Sequence, residues 1–133
     1  MYLDEVLRDS PITYGVENRF ESTPGPETRT ILYRITQEAL NNVRKHARAH
    51  HVDVLLEESH GGFLVRIEDD GQGFRLDSAS GPVPGHLGLT AMRERAELAG
   101  GWWRGSSVLG QGTRIEYWLP PEGGRALVQD VAG

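Results

Sequence analysis

The most regular pattern in this chain is a run of apolar residues at three- and four-residue intervals between positions 27 and 49. The residues that form it are Ile31, Leu32, Ile35, Ala39, Leu40, Val43 and Ala47. This period predicts one long amphipathic helix, with Pro26 suited to its first turn. Residues 87–99 repeat the period and predict a second helix that ends at Gly100 and Gly101.

Segments of alternating or clustered apolar residues predict β-strands at 11–16, 51–58, 63–68, 102–109 and 113–119. Glycines at 61–62 and 110–112 separate two pairs of these segments and predict hairpin turns. Residues 71–84 predict a turn and a mobile loop, and residues 122–133 predict a flexible tail. The chain is therefore predicted to be a single α/β domain over residues 1–121.

Composition narrows the function classes. Cysteine is absent from the 133 residues, so disulfides and thiolate chemistry are excluded. The formal net charge of -5 argues against a general nucleic-acid binder, because phosphate backbones select clustered cations. No apolar run approaches the roughly 18 residues of a bilayer-spanning helix, and residues 1–5 lack the features of a signal peptide. We therefore expect contact with neither nucleic acid nor membrane.

The first candidate for chemistry is a polar cluster on the long predicted helix, formed by Glu38, Asn42 and Lys45. At about 100° per residue, the three side chains fall within a narrow arc beside the apolar stripe. The Asn42 oxygen suits a hard cation such as Mg²⁺, Lys45 suits a terminal phosphate, and Glu38 could orient a water or a nucleophile. Taken alone, the same residues also fit the solvated face of an ordinary surface helix.

The second cluster, Asp69-Asp70-Gly71-Gln72-Gly73, follows a predicted strand. A carboxylate at a strand end accepts hydrogen bonds, so Asp69 can read an exocyclic amino group such as that of adenine. Glycines at 71 and 73 permit positive φ and let the backbone approach a flat ligand. A tight turn remains an alternative, whereas a calcium loop is disfavoured because the twelfth position from Asp69 is Ser80.

The third cluster, Gly85-His86-Leu87-Gly88-Leu89, precedes the second predicted helix. Its amides can face phosphate oxygens at the positive end of that helix, although a glycine hinge explains the pattern equally well. The chain contains no P-loop motif, and no Gly-x-Gly-x-x-Gly in a strand-to-helix context. Together, the three clusters predict a site for a nucleoside triphosphate.

Four segments in order resemble the catalytic and ATP-binding domain of bacterial sensor histidine kinases, in particular the nitrate-sensor-like subfamily. They are Gln-Glu-Ala-Leu-Asn-Asn-Val-Arg-Lys-His-Ala at 37–47, Asp-Asp-Gly-Gln-Gly-Phe at 69–74, Gly-His-Leu-Gly-Leu at 85–89 with Met-Arg-Glu-Arg-Ala at 92–96, and Gly-Gln-Gly-Thr at 110–113 with Leu-Pro at 119–120. The resemblance covers about residues 29–120. It implies the Bergerat (GHKL) ATP-binding fold, an α/β two-layer sandwich in which a mixed sheet packs against about three helices.

The resemblance also implies roles for single residues. Glu38 would assist phosphoryl transfer and Lys45 would touch phosphate, as the catalytic pair. Asn42 would bind Mg²⁺ and the nucleotide, and Asp69 would take the adenine amino group. The other implied nucleotide-binding positions are His46, Gly71, Gly73, Gly85, Leu87, Gly88, Leu89 and Thr113. Among them, Gly85 and Gly88 would bound a lid formed by residues 74–84, and Thr113 would hydrogen-bond near Asp69.

The function implied is transfer of the γ-phosphoryl group of ATP to a histidine on a separate dimerisation and phosphoacceptor domain, for relay to a response regulator. A phosphoacceptor histidine of this type precedes an acidic residue, and none of the five histidines here does. We therefore expect an excised, monomeric, cytoplasmic catalytic domain that binds Mg-ATP and does not phosphorylate itself. Its full-length parent could be membrane-anchored.

Two other function classes stay open on the sequence. One is a serine kinase of the anti-sigma-factor type, which would share the ATP site and act as a switch on transcription partners. The other is a non-catalytic module that senses ATP by binding it.

Overall fold

The computed structural model describes residue 7, residues 10–73 and residues 88–121, with the backbone alone at residues 46 and 47. The elements in chain order are β1 (Thr13–Asn18), α1 (Pro26–Asn42), a π-helical segment (Val43–Ala47), β2 (His51–Ser59), β3 (Gly62–Asp69), α2 (Gly88–Leu98), β4 (Trp102–Val108) and β5 (Gly112–Leu119). Strands and helices alternate as predicted, which confirms the α/β class.

The strands form one five-stranded sheet in the order β1-β2-β3-β5-β4. β1 lies parallel to β2, and the other neighbouring strands are antiparallel. Parallel neighbours need a long crossover between them, and α1 lies within the connection from β1 to β2. The sheet is therefore mixed, as the resemblance implied.

One face of the sheet is covered by the helices and holds the core. Ile35, Ala39 and Leu40 of α1 and Met92 of α2 are fully buried. They belong to one cluster with alternate residues of β2, β3 and β5, such as Ile67. The apolar period seen in the sequence is thus the stripe that α1 buries.

A buried hydrogen-bond relay also ties α1 to the sheet. The Tyr117 hydroxyl is 2.5 Å from the Thr36 hydroxyl and donates to the Leu32 carbonyl at 3.1 Å. Burial raises the pKa of Tyr117 far above its usual value, so the phenol keeps its proton and its role as a donor. This relay fixes the position of α1 along its own axis.

Two elements differ from their predicted bounds by more than one residue. The helix predicted over 27–49 is α-helical only to Asn42 and then takes π-helical geometry, after which Arg48 adopts φ 51°, in the left-handed region. The extra residue per turn and the left-handed residue redirect the chain into β2, which a straight helix could not do. β1 spans Thr13–Asn18 instead of 11–16. Pro11 lacks an N–H for strand pairing, and the Ile12 N–H donates to the Ser10 hydroxyl at 3.2 Å.

In the part of the chain that the structure describes, the opposite face of the sheet carries a network of ion pairs. Glu116, only 5% exposed, accepts from the Arg66 and Arg104 Nε atoms at 3.0 Å each. Burial raises the pKa of this carboxyl, but the two arginines outweigh that effect and the pKa is lowered. Arg104 also lies 5.0 Å above the Trp102 ring.

We expect Glu116→Ala to lower the free energy of unfolding by about 1–3 kcal/mol, because it leaves two arginines without their shared acceptor. Since the pKa of Glu116 is lowered, its contribution is present above the ordinary glutamate pKa of about 4.3 and is lost as the pH falls through the lowered value. The difference in the free energy of unfolding between the wild type and Glu116→Ala should therefore become smaller in acid. Urea unfolding at several pH values measures both effects.

The matched control is Glu68→Ala, which removes an exposed partner of Arg114 on the same face. This change should cost less than about 1 kcal/mol. Equal losses in the two variants would contradict the view that the shared, buried carboxylate matters more than the exposed pair.

Candidate functional site

Asp69 ends β3 on the face of the sheet that the helices cover. Alternate residues of a strand share a face, and Val65 and Ile67, at the preceding alternate positions, are buried in the core beneath the helices. Across the ladder, Asp69 pairs with Thr113, at the start of β5. The two residues predicted to act together are therefore neighbours at one end of the core.

The Asp69 carboxylate is half-buried and held by backbone donors. The Gly71 N–H donates to Oδ1 at 2.8 Å, and the Thr113 backbone also hydrogen-bonds the carboxylate. Burial raises its pKa and outweighs these hydrogen bonds, and the neighbouring Asp70 charge adds to the increase. A fixed acceptor in a weakly solvated position is suited to recognise a donor such as an amino group.

The loop after Asp69 is locked against the β4–β5 turn. The Gly110 N–H donates to the Gln72 carbonyl at 2.7 Å. Gly73 has φ 68°, and a Cβ there would overlap the Val108 carbonyl oxygen. A Cβ at Gly112 would overlap the carbonyl oxygen of Asp69 itself. Two motifs that are far apart in sequence thus form one rigid corner, and their glycines are required by the close approach.

The helical wall of the site is formed by the end of α1. Glu38 and Asn42 are half-buried and lie one turn apart beside the buried stripe. The Asn42 Nδ2 atom is buried and has no hydrogen-bond partner among the described residues. A buried amide without a partner is uncommon, so a ligand oxygen at this position would satisfy an unmet hydrogen bond. Lys45 is exposed on the π-helical segment.

Gly88 opens α2 directly against Glu38. A Cβ at this position would overlap the Glu38 carboxylate, so any side chain at 88 would have to displace it. The third motif therefore supplies the surface on which the Glu38 side chain rests. Leu89, the next residue, is half-buried and packs against the core.

The structure thus joins Glu38 to Gly88, and Asp69 to Gly71 and Thr113. Gly85, Leu87 and the predicted lid at 74–84 lie outside the described residues, as do the His46 side chain and the predicted tail at 122–133. In the described part of the chain, no three His, Cys, Asp or Glu side chains come together as metal ligands. None of the helices in that part is long and apolar enough to cross a bilayer.

Two contacts were not foreseen from the sequence. One is the packing of Gly88 on Glu38. These residues are 50 positions apart, and no sequence pattern near either of them predicts the contact. The other concerns Asp70, whose carboxylate accepts from the backbone N–H groups of His50 and His51. An acid directly after a strand end is the only hint of it, because such residues often bind nearby backbone donors.

Residues 27–123 match the family model described as "Histidine kinase-, DNA gyrase B-, and HSP90-like ATPase". Sensor histidine kinase LiaS of Bacillus subtilis (strain 168) is 35% identical over 114 residues, which are 86% of this chain and 28% of that protein. Sensor histidine kinase YxjM of the same organism is 41% identical over 100 residues, 75% of this chain and 23% of that protein. The chain therefore spans about a quarter of the length of these relatives.

Solved structures show the same fold. The histidine kinase domain of a blue-light activated histidine kinase from Erythrobacter litoralis superposes with a TM-score of 0.74 at 20% identity. The match covers 96% of this chain and 61% of that domain. The mixed sheet and its two described helices are thus the arrangement found in histidine kinase ATPase domains.

We expect Asp69→Asn to raise the melting temperature of the ligand-free protein at neutral pH. The amide keeps an oxygen for the Gly71 N–H and avoids the cost of burying a charge. Because the pKa of Asp69 is raised, its charge lowers the free energy of unfolding of the wild type above that raised value. Below the ordinary aspartate pKa of about 3.9, this loss of stability is absent. The stabilisation by Asn should therefore disappear in acid.

Asp70→Asn provides the control with the opposite sign. Hydrogen bonds from the His51 and His50 N–H groups lower the pKa of Asp70, so loss of its charge should destabilise the protein at neutral pH. Thermal melts of both variants from about pH 3 to pH 8 test the pair. Destabilisation by Asp69→Asn at neutral pH would contradict the view that the half-buried charge of Asp69 destabilises the folded protein.

Proposed function

We propose a role in phosphoryl transfer for this chain, which belongs to the histidine kinase-, DNA gyrase B- and HSP90-like ATPase family and is an ATP-binding catalytic domain of the sensor histidine kinase type. In this proposal, the chain transfers the γ-phosphoryl group of Mg-ATP to a histidine on a separate phosphoacceptor domain, for relay to a response regulator. The nitrate-sensor-like subfamily, the monomeric state and the cytoplasmic location remain predictions.

The observation that carries the proposal is the half-buried Asp69 carboxylate, held by Gly71 and Thr113 on the helix-covered face of the sheet. An oriented acceptor at this position favours the exocyclic amino group of adenine and disfavours the keto group of guanine. Gly71 and Gly73 allow the flat base to approach the backbone. We assign the base to this corner and the phosphates to the end of α1.

Magnesium fits the residues of the helical wall. The donors are one amide and one carboxylate a turn apart, and among the described residues no larger ligand set exists. Mg²⁺ keeps several waters and takes most of its remaining ligands from phosphates, so a single protein oxygen such as Asn42 Oδ1 suffices. The bound ion would supply charge neutralisation at the β- and γ-phosphates.

The protein groups would act mainly by positioning and by electrostatics, because phosphoryl transfer passes through a loose transition state. Lys45, exposed on the π-helical segment, would place its ammonium against the terminal phosphate. Glu38, resting on Gly88, would orient the attacking histidine ring by accepting its N–H. These assignments follow the chemistry of the side chains.

Titration with Mg-ATP and Mg-GTP tests the proposal. We expect the wild type to bind ATP in preference to GTP, and Asp69→Asn to lose about 30- to 100-fold in ATP affinity with little effect on GTP. The magnitude follows from the loss of one charged hydrogen bond to the base. Calorimetry of both proteins with both nucleotides provides the measurement. Absence of ATP binding by the wild type would refute the proposal.

A sensing module that binds ATP without catalysis remains the second candidate, and Glu38→Gln separates the two. Catalysis predicts a loss of about 100-fold or more in phosphotransfer to an added phosphoacceptor domain, with ATP affinity retained. Gly88→Ala should also lower phosphotransfer, by about tenfold, because the added methyl group displaces the Glu38 carboxylate. Radiolabel transfer measured beside ATP titration gives both quantities.

Gly15→Ala is the matched control for the glycine variant. A Cβ at Gly15 would meet the exposed Asp53 carboxylate at 2.9 Å and the His51 ring at 3.9 Å, on the face of the sheet opposite the helices. Phosphotransfer should be unchanged in this variant. If the wild type binds ATP but neither it nor the variants transfer a phosphoryl group, the non-catalytic module is favoured over the kinase. Full phosphotransfer in Glu38→Gln would instead refute the role assigned to Glu38.

A further inference from the structure

Asp70 makes a set of backbone contacts that the proposed chemistry does not use. Its Oδ1 atom accepts from the N–H of His50 at 2.8 Å and from the N–H of His51 at 2.9 Å. Its own N–H donates to the His51 carbonyl at 3.3 Å. Three hydrogen bonds therefore run between one residue and one dipeptide 20 positions earlier in the chain.

The two ends of this connection belong to the two halves of the site. Asp70 directly follows Asp69, the acid assigned to the base. His50 and His51 follow the π-helical segment that carries Lys45, after the left-handed turn at Arg48. The carboxylate thus closes the turn by which the helical wall reaches the sheet.

We propose that Asp70 is a positioning residue that sets the distance between the base-binding corner at Asp69 and the phosphate-binding end of the helical wall. This inference rests on the proposed function and adds to it a residue that need not touch nucleotide. ATP spans both halves of the site, so its affinity depends on their spacing. Adenosine occupies only the base-binding corner, so its affinity does not depend on this spacing.

Other contacts hold β2 in place without Asp70. The His51 ring lies between the Thr13 hydroxyl, 2.7 Å from Nδ1, and the Asp53 carboxylate, 2.8 Å from Nε2. The Thr13 contact joins β2 to β1, on the side of the strand away from β3, and the Asp53 contact holds the ring within β2. Loss of Asp70 should therefore loosen the turn between the π-helical segment and β2 while leaving the strand paired.

The test compares the affinities of ATP and adenosine, by calorimetry and by NMR titration, in wild type, Asp70→Ala, Asp70→Asn and Asp70→Glu. We expect Asp70→Ala to lower ATP affinity about tenfold, with adenosine affinity within about twofold, because the acceptor of two backbone N–H groups is lost. Asp70→Asn keeps an oxygen at the same place and should stay within about threefold of wild-type ATP affinity. Asp70→Glu keeps the charge but shifts the oxygens by one methylene group, and should lose more than Asp70→Asn.

Asp53→Ala is the matched control, because it also removes a carboxylate that contacts His51, but through the ring instead of the backbone. ATP affinity should be unchanged in this variant. Faster amide exchange at His50 and His51 in Asp70→Ala would verify that the hydrogen bonds have been removed. If Asp70→Ala does not fold, the ATP affinities of Asp70→Asn and Asp70→Glu decide the question. A smaller loss in Asp70→Asn shows that the position of the oxygen matters more than the charge.

The outcomes are distinct. Unchanged ATP affinity in folded Asp70→Ala overturns the positioning role. An equal loss of affinity for ATP and for adenosine in Asp70→Ala also overturns it. The same holds if Asp53→Ala loses as much ATP affinity as Asp70→Ala, or if Asp70→Asn loses more than Asp70→Glu. Failure of the wild type to bind ATP refutes the proposed function itself, whereas a wild type that binds ATP beside an unaffected Asp70→Ala refutes only this inference.

Discussion

The burial of one face of α1 on the sheet is the constraint from which the rest of the structure follows. Ile35, Ala39 and Leu40 must leave water together, which fixes the rotation of the helix about its axis. The relay from Tyr117 to Thr36 and Leu32 then fixes its position along that axis. Once both are set, Glu38 and Asn42 have no freedom to lie elsewhere than at the edge of the core.

At this edge lie two features that destabilise the ligand-free fold, as expected of the proposed binding site. Asp69 is held in a half-buried position where its charge is disfavoured, and the buried amide nitrogen of Asn42 finds no partner among the described residues. Neither feature helps the fold. Both become favourable only when a donor and an oxygen arrive from outside, which is the usual character of a binding site built in advance of its ligand. Close packing at Gly73 and Gly112 and the hydrogen bond from Gly110 to Gln72 hold this arrangement.

Much of the architecture was predictable because its signals are local. The apolar period predicted α1, the alternation of apolar residues predicted the strands, and the glycine at 61 predicted the β2–β3 hairpin. In the turn of this hairpin, His60 and Gly61 both have positive φ. The family resemblance, confirmed by the match over residues 27–123, supplied the order of the motifs.

What the sequence did not predict depends on contacts between distant residues. The π-helical geometry at Val43–Ala47 arises where the chain leaves one element and must enter another. The packing of Gly88 on Glu38 and the bonds from Asp70 to His50 and His51 need the sheet to be assembled first. No periodicity or propensity within either segment encodes them, so they emerge only from coordinates.

The parallel pairing of β1 has a consequence for the order in which the domain forms and opens. Thr13 and His51 are 38 residues apart, whereas the hairpin partners Ser59 and Gly62 are separated by a tight turn. Closing the longer loop costs more chain entropy, and β1, an edge strand with four of its six residues exposed, recovers little of it. β1 should therefore join the sheet last and detach from it first, before β3 and β5, which carry Asp69 and Thr113 of the proposed nucleotide site.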